Sequence, residues 1–430
     1  MSMPEPPADA RRAVFANRDF RWLVAGGVIS MLGDQFTLLA MPWLMLKLTG
    51  DSLALGLVLA IMGIPRALFI LVGGALTDRY SSHRVLMLTK YVNTALLGLL
   101  GALVWMDTLP LWLLYPLALG IGLASAFSIP AGTSILPTVV PREQLAAANG
   151  VMMGLRQMTL LAGPALAGLM IALSADGGHG GTVGAKDSGT ALAFLMDAAS
   201  FALSAWTLAK VKAVVADPAA RDTSIIRSIG EGLRHFWGDT HLRTLCLYFA
   251  AVTACISGPV QVGLPLLVDQ RLLPGGAGAL GTILAAHGAG TLVGLALSAA
   301  RPGLRLGTLG LTILAIDIVC GLFFLPLALV TATWQVMALL FGVGVLGGFV
   351  QVRVWTWMQR RVPPAMLGRA MALFMFIFMG VGPLSAALAG ALLRQVSVTQ
   401  MMVATGLFLT TLALAGMVFT PIRQVREEAA

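Results

Sequence analysis

Charge is scarce in this chain. Of its 430 residues only 11% are Asp, Glu, Lys or Arg, 58% are hydrophobic, and the mean hydropathy is +0.87. That composition leaves too little polar surface to cover a water-soluble fold. Cysteine is nearly missing: Cys246, Cys255 and Cys320 all lie in apolar runs, which excludes a disulfide framework or a paired-cysteine metal site. There is no Gly-x-x-x-x-Gly-Lys-Ser/Thr loop and no polar stretch long enough to house a nucleotide-binding domain, which argues against an ATP-driven pump. His-Glu-x-x-His is absent too, and no Ser/His/Asp arrangement emerges, so an enzyme is not expected. Neither is a metal or an organic cofactor.

What fills the chain instead is apolar runs of bilayer-crossing length. A spanning helix needs about 20 predominantly apolar residues. Such runs occur near Trp22 to Leu46, Ser52 to Leu76, Val85 to Trp105, Leu111 to Thr133, Ala146 to Leu173 and Thr190 to Leu208. Six more run near Thr244 to Val268, Leu280 to Ala300, Leu306 to Pro326, Thr331 to Trp355, Ala370 to Leu393 and Met401 to Phe419. A barrel would show alternating segments of about 10 residues. The expected class is therefore an all-α, multi-pass membrane protein with the lipid bilayer as its solvent.

Orientation follows from the 28 basic residues. Twenty fall on the side carrying both termini; Lys47, Lys186, Arg271 and Arg394 fall on the other, and Arg66, Lys90, Arg156 and Arg353 lie in or near spans. The positive-inside rule then puts both termini in the cytoplasm. The net charge of +9 is spread over every cytoplasmic loop, which suits an inner membrane face and not a nucleic-acid partner. The polar N-terminal stretch has no cleavable apolar core, so no signal peptide is expected.

The expected organisation is an N-terminal segment (1–21), a six-helix bundle (22–208), a cytoplasmic linker (209–243), a second six-helix bundle (244–419) and a tail (420–430). In the linker, Ile225, Ile226, Ile229, Leu233 and Phe236 recur at helical spacing, as in a helix lying on a membrane, although a solvated linker fits equally. The halves are weak repeats: Val140-Pro141 with Leu145 and Ala148 matches Val362-Pro363 with Leu367 and Ala370, and Gly163-Pro164 with Gly168 matches Gly382-Pro383 with Gly390. Parallel 6+6 repeats mark one class of secondary transporters.

The run Gly74-Ala75-Leu76-Thr77-Asp78-Arg79-Tyr80-Ser81-Ser82-His83-Arg84 resembles the loop motif between spans two and three of the major facilitator superfamily, with Ser81 where the family has glycine. Gly150, Gly163, Pro164 and Gly168 resemble its antiporter motif in span five, with Thr159 and Ala167 at two glycine positions. Ser30-Met31-Leu32-Gly33-Asp34, Phe127-Ser128-Ile129-Pro130-Ala131, Ala148-Asn149-Gly150 and Asp197-Ala198-Ala199-Ser200-Phe201 are similar to the drug:proton antiporter branch that includes macrolide-efflux and enterobactin-export proteins. The resemblance implies the major facilitator fold and proton-driven export of a small amphipathic molecule across the inner membrane, by a monomer. A lysophospholipid or other lipid-like carrier, not strictly proton-coupled, is the alternative within the same branch. It also implies that Asp78, with Gly74, Arg79 and Arg84, meets the start of span eleven in one state only. Positive-inside placement alone also accounts for Arg79 and Arg84.

Ionisable groups inside spans cost at least about 2.5–3.5 kcal/mol unless paired or wet. Asp34 in span one and Arg66 in span two both lie roughly 15–18 Å deep at 1.5 Å per residue. A carboxylate there is pushed towards neutrality by desolvation and back towards charge by a nearby cation, which suits a proton-coupling group; a static pair is the alternative. Arg156 and Asp197 sit at comparable depth, either as a structural pair or with Arg156 holding an anionic substrate. Asp317 and His287 are the proton-coupling candidates of the second half, with histidine packing as the plainer role for His287.

Overall fold

The computed structural model describes residues 13–174, 188–212, 237–270, 276–301, 303–362 and 364–425, with the side chains of 71–79, 174, 364–373 and 377 left out. The expected linker helix, at 225–236, lies outside the described residues.

Among the described residues twelve helical spans are long and apolar enough to cross a membrane. They are α1 (Arg18–Thr49), α2 (Ser52–Tyr80), α3 (Ser82–Trp105), α4 (Leu111–Ser134), α5 (Leu145–Ser174) and α6 (Ser188–Leu208), then α7 (Thr240–Gly258), α8 (Gly276–Ala300), α9 (Leu309–Phe324), α10 (Thr333–Arg361), α11 (Pro364–Leu392) and α12 (Val398–Phe419). Among the described residues no strand occurs. Every backbone N–H and C=O in hydrocarbon must be satisfied within its own segment, and continuous helices do that.

Two local features explain how the chain is punctuated. The α7 helix runs on through a π-turn, Pro259–Gly263, into Leu264–Gln270. Pro259 and Pro265 have no amide hydrogen to give the preceding turn, and the wider turn absorbs the defect. Between α2 and α3, Ser81 holds φ at 73° and accepts a hydrogen bond from the Arg84 amide at 3.4 Å. That positive φ is cheap for glycine and costs a serine about 1–3 kcal/mol, which is the physical sense of the glycine in the family motif.

The molecule divides into two compact units, residues 1–48 with 61–222 and residues 49–60 with 223–430. The first turns of α2 thus pack in the second unit. There, Ser52 Oγ donates to Gly390 O at 2.9 Å and Arg394 pairs with Asp51 through both carboxylate oxygens, Nε to Oδ1 at 2.9 Å. Arg394 and the Leu53 amide hold the Asp51 carboxyl below the usual carboxylate range, against a smaller opposing effect of burial.

Inside each unit the helices pair alike. In the first unit, α3 packs on α6, Gly163 of α5 on Gln35 of α1, and Gly122 of α4 on the Met62 backbone of α2. In the second, α9 packs on α12, α7 on α11 and α8 on α10. The three pairings correspond under a shift of six helices. Gly290 and Gly344, for example, bring the α8 and α10 backbones together where a Cβ would strike a carbonyl. Small residues at helix crossings are how apolar helices associate without a hydrophobic driving force between them. The chain's end also packs: Ile422, in the turn Pro421–Gln424, is buried against the start of α9, where Thr308 Oγ1 donates to Arg423 O at 2.7 Å.

Candidate functional site

The polar core of the first unit is built where α1 and α6 run antiparallel. Gly33 has no Cβ, and the space is taken by Ser200 Oγ and Asp197 Oδ1. One turn along, Thr37 Oγ1 donates to Asp197 Oδ2 at 2.5 Å, while Ser200 Oγ lies 3.2 Å from Asp197 Oδ1 and donates to Asp197 O at 2.7 Å. In the other direction Ser204 Oγ donates to Gly26 O at 2.6 Å. The result is a ladder of hydroxyls between two helices, with a buried carboxylate as one rung.

The third helix at this ladder is α3. Lys90 is buried, with Nζ 2.5 Å from Ser204 Oγ, 3.4 Å from Ser30 Oγ and 5.7 Å from the centre of the Phe201 ring. Asn93, one turn on, is 1% exposed, and its Oδ1 has no hydrogen-bond partner.

Asp34 belongs to the same α1 stripe as Ser30 and Thr37, yet its side chain is exposed while Gly33 and Gln35 are buried. Lys90 of α3, Arg66 of α2 and Asp197 of α6 all act on it electrostatically. Charged groups from three other helices thus act on a carboxyl that the helices around it desolvate, in a residue whose surface is in part exposed. Arg66 is half-buried, and its Nε, which is buried, has no hydrogen-bond partner. Asp34 and Arg66 therefore come within Coulombic reach, as the depth argument expects, but among the described residues no hydrogen bond or ion pair joins them.

Other expectations change. Asp197 takes Thr37 and Ser200 as its partners, not Arg156, which is exposed on α5. The expected Arg156–Asp197 pair is thus corrected: short hydroxyls on the facing helices reach the carboxylate where a side chain from the α5 surface does not. Of the antiporter motif, Gly163, Pro164 and Gly168 are buried, with Gly163 against Gln35, whereas Gly150 is exposed with nothing within 4 Å of a Cβ placed there. Gly150 makes no close helix contact. Gly74, Asp78 and Arg79 lie on the last turns of α2, their side chains outside the described residues, and Arg84 is exposed.

In the second unit Asp317 is buried and accepts a hydrogen bond from Tyr248 OH at 2.6 Å, inside an apolar cluster that includes Cys320, Leu409 and Ala413. His287 is half-buried on α8, away from that cluster; its backbone carbonyl accepts from Thr291 Oγ1 at 3.0 Å and lies against Gly344. No bond joins Asp317 and His287 among the described residues. Arg353, buried on α10, donates from Nη2 to the carbonyls of Arg301 at 3.0 Å and Leu304 at 3.3 Å, and so clamps the loop after α8.

Sequence reasoning passes over Lys90 as a bridging residue, along with Thr37, Asn93, Ser200 and Ser204. A signal existed for Lys90, since an ammonium inside an apolar span carries the same cost as Asp34. The hydroxyls give none, because serine and threonine are common throughout membrane helices. No group of His, Cys, Asp and Glu among the described residues is placed to hold a metal ion.

Comparison with known proteins agrees with this architecture. The chain is 27% identical over 411 residues to the multidrug efflux pump Tap of Mycobacterium tuberculosis (strain ATCC 25618 / H37Rv), covering 90% of this chain and 88% of Tap. It is 28% identical over 371 residues to the enterobactin exporter EntS of Escherichia coli O139:H28, covering 84% and 79%. A shorter match, 24% over 151 residues, is to the macrolide efflux protein A of Streptococcus pyogenes, covering 35% of this chain and 37% of that protein. In fold it is similar to the nucleoside transporter NupG, with TM-score 0.73, 12% identity and coverage of 93% and 98%, and to a bacterial homologue of the lysosomal transporter Spinster, with TM-score 0.68, 15% identity and coverage of 95% and 98%. The family model described as transmembrane secretion effector, MFS_3, matches residues 10–430. A chain with twelve spanning helices among its described residues, whose two halves pair their helices alike and which that model matches over nearly its whole length, is a membrane transporter and not an enzyme, and belongs to the transmembrane secretion effector family of the major facilitator superfamily.

Proposed function

We propose that the protein exports small amphipathic molecules of drug, macrolide or siderophore type from the cytoplasm by proton antiport, with Asp34 as the coupling carboxylate. The basic bias of the loops supports termini in the cytoplasm, and the resemblance to exporters of this branch supports the inner membrane as site. The observation that carries the proton role is the exposed Asp34 side chain amid Lys90, Arg66 and Asp197. A carrier needs a charge that is reachable, so that a proton arrives, yet surrounded, so that its protonation changes what the helices around it feel. Asp197 serves as the fixed acceptor that ties α1 to α6. The names of Tap, the macrolide efflux protein and EntS support export and the substrate class.

The test is the pH gradient in energised inside-out vesicles as macrolides, cationic dyes, siderophores and lysolipids are added one at a time. The expected result is a gradient that collapses with one of the first three classes and survives in Asp34→Asn. Transport that responds to lysolipids alone and ignores an uncoupler would overturn it in favour of a lipid carrier.

A further inference from the structure

The buried ammonium of Lys90 is held by two neutral hydroxyls. Ser204 Oγ at 2.5 Å is its main partner, and Ser30 Oγ at 3.4 Å is a loose one. A buried ammonium has three hydrogens to place and is poorly served by two hydroxyls and an aromatic face. One turn along α1 from Ser30, on the same face, stands Asp34. One turn along α3 from Lys90, also on the same face, stands Asn93, buried, with its Oδ1 unpartnered. The helices α1 and α3 cross the membrane in the same direction, so both steps point the same way, towards Thr49 and Trp105. The lysine stem spans such a step, because one helical turn is about 5.4 Å. A carboxylate and an orphan amide oxygen thus each stand one helical turn from the ammonium's present place.

We infer that Lys90 is a two-position counter-ion: it rests on Ser204 and Ser30 while Asp34 carries its proton, and moves one turn to Asp34 and Asn93 Oδ1 when that proton leaves. This rests on Asp34 as the proton site proposed above. The move exchanges hydroxyl partners for a charged one and satisfies the Asn93 oxygen. It also releases Ser204, whose other bond ties α6 to Gly26 of α1. Proton loss is thereby converted into a change of contacts between α1, α3 and α6, the kind of differential interaction a conformational change requires. Lys90 is a positioning residue in this scheme. The other charged groups near Asp34 are Arg66 from α2 and Asp197 from α6; α5 presents only the exposed Arg156, and α4 has no charged residue.

The test needs no transported compound. The carboxyl C=O infrared band lost in Asp34→Asn is titrated with pH in purified full-length protein. In Lys90→Gln its midpoint is expected to move to higher pH by about 1–3 units, the effect of one close cation, and to stay near the wild-type position in Lys90→Arg. In Ser204→Ala, which empties the resting seat, the midpoint is expected to move the opposite way, and this milder variant stands in if Lys90→Gln does not fold. An unmoved midpoint in Lys90→Gln, or in Ser204→Ala alone, overturns the counter-ion and leaves the Asp34 proposal standing. No titrating band that Asp34→Asn removes overturns both.

Discussion

The two units pair their helices alike but place their carboxylates in opposite circumstances. In the first, Asp34 is exposed, and Asp197, Lys90 and Arg66 act around it through α6, α3 and α2. In the second, Asp317 is buried with Tyr248 OH as its partner, in a cluster otherwise apolar. Among the described residues no cation acts on Asp317, and its hydrogen-bond partner is a neutral donor. A reachable carboxylate among two cations and a second carboxylate has several arrangements to choose between.

The sharpest way to break this contrast is neutralisation on each side. Asp34→Asn is expected to reduce substrate-driven proton movement in vesicles to the level of empty membranes, whereas Asp317→Asn, which keeps an oxygen for Tyr248 OH, retains most of it. Equal loss in both would place coupling in both units. Next in size is the removal of a hydroxyl from each buried carboxylate. Tyr248→Phe and Thr37→Val each deprive a buried oxygen of a hydrogen bond, at about 1–3 kcal/mol, read as a lower unfolding midpoint in detergent. The loss should be larger for Tyr248→Phe, because Ser200 Oγ, 3.2 Å from Asp197 Oδ1, can turn its hydrogen from the Asp197 carbonyl to that carboxylate, while Tyr248 OH is the donor that Asp317 depends on.

Packing sharpens the same comparison within the first unit. Gly33→Ala pushes a Cβ into Asp197 and Ser200 and should destabilise by about 1–3 kcal/mol, as overpacking does. Gly150→Ala, where a Cβ meets nothing, should leave the midpoint unchanged or raise it. The smallest effect belongs to the Asp51–Arg394 pair. Since the folded Asp51 carboxyl lies below its ordinary range, its contribution is complete above that range and fades as pH falls through the lower folded value. Arg394→Gln should weaken that acidic dependence, leaving the part held by the Leu53 amide, with little change at neutral pH because the pair is solvent-screened.

Length, class and the twelve crossings were determined by sequence alone, because hydrocarbon permits few structures and apolar runs of about 20 residues declare themselves. The charged residues inside those runs were equally legible, and Asp34, Arg66, Asp197 and Asp317 stand out for the same energetic reason. Which of them meet was decided only by tertiary structure. Asp197 and Arg156 share a depth but not a face, and Asp34 and Arg66 share a site without touching. The hydroxyls that complete the site, Ser30, Thr37, Ser200 and Ser204, look like any others in a membrane helix until α1 and α6 close on one another through Gly26 and Gly33. Depth is additive along one helix and so can be counted from the chain; a shared face depends on the rotation of two helices, which packing sets and no single segment encodes.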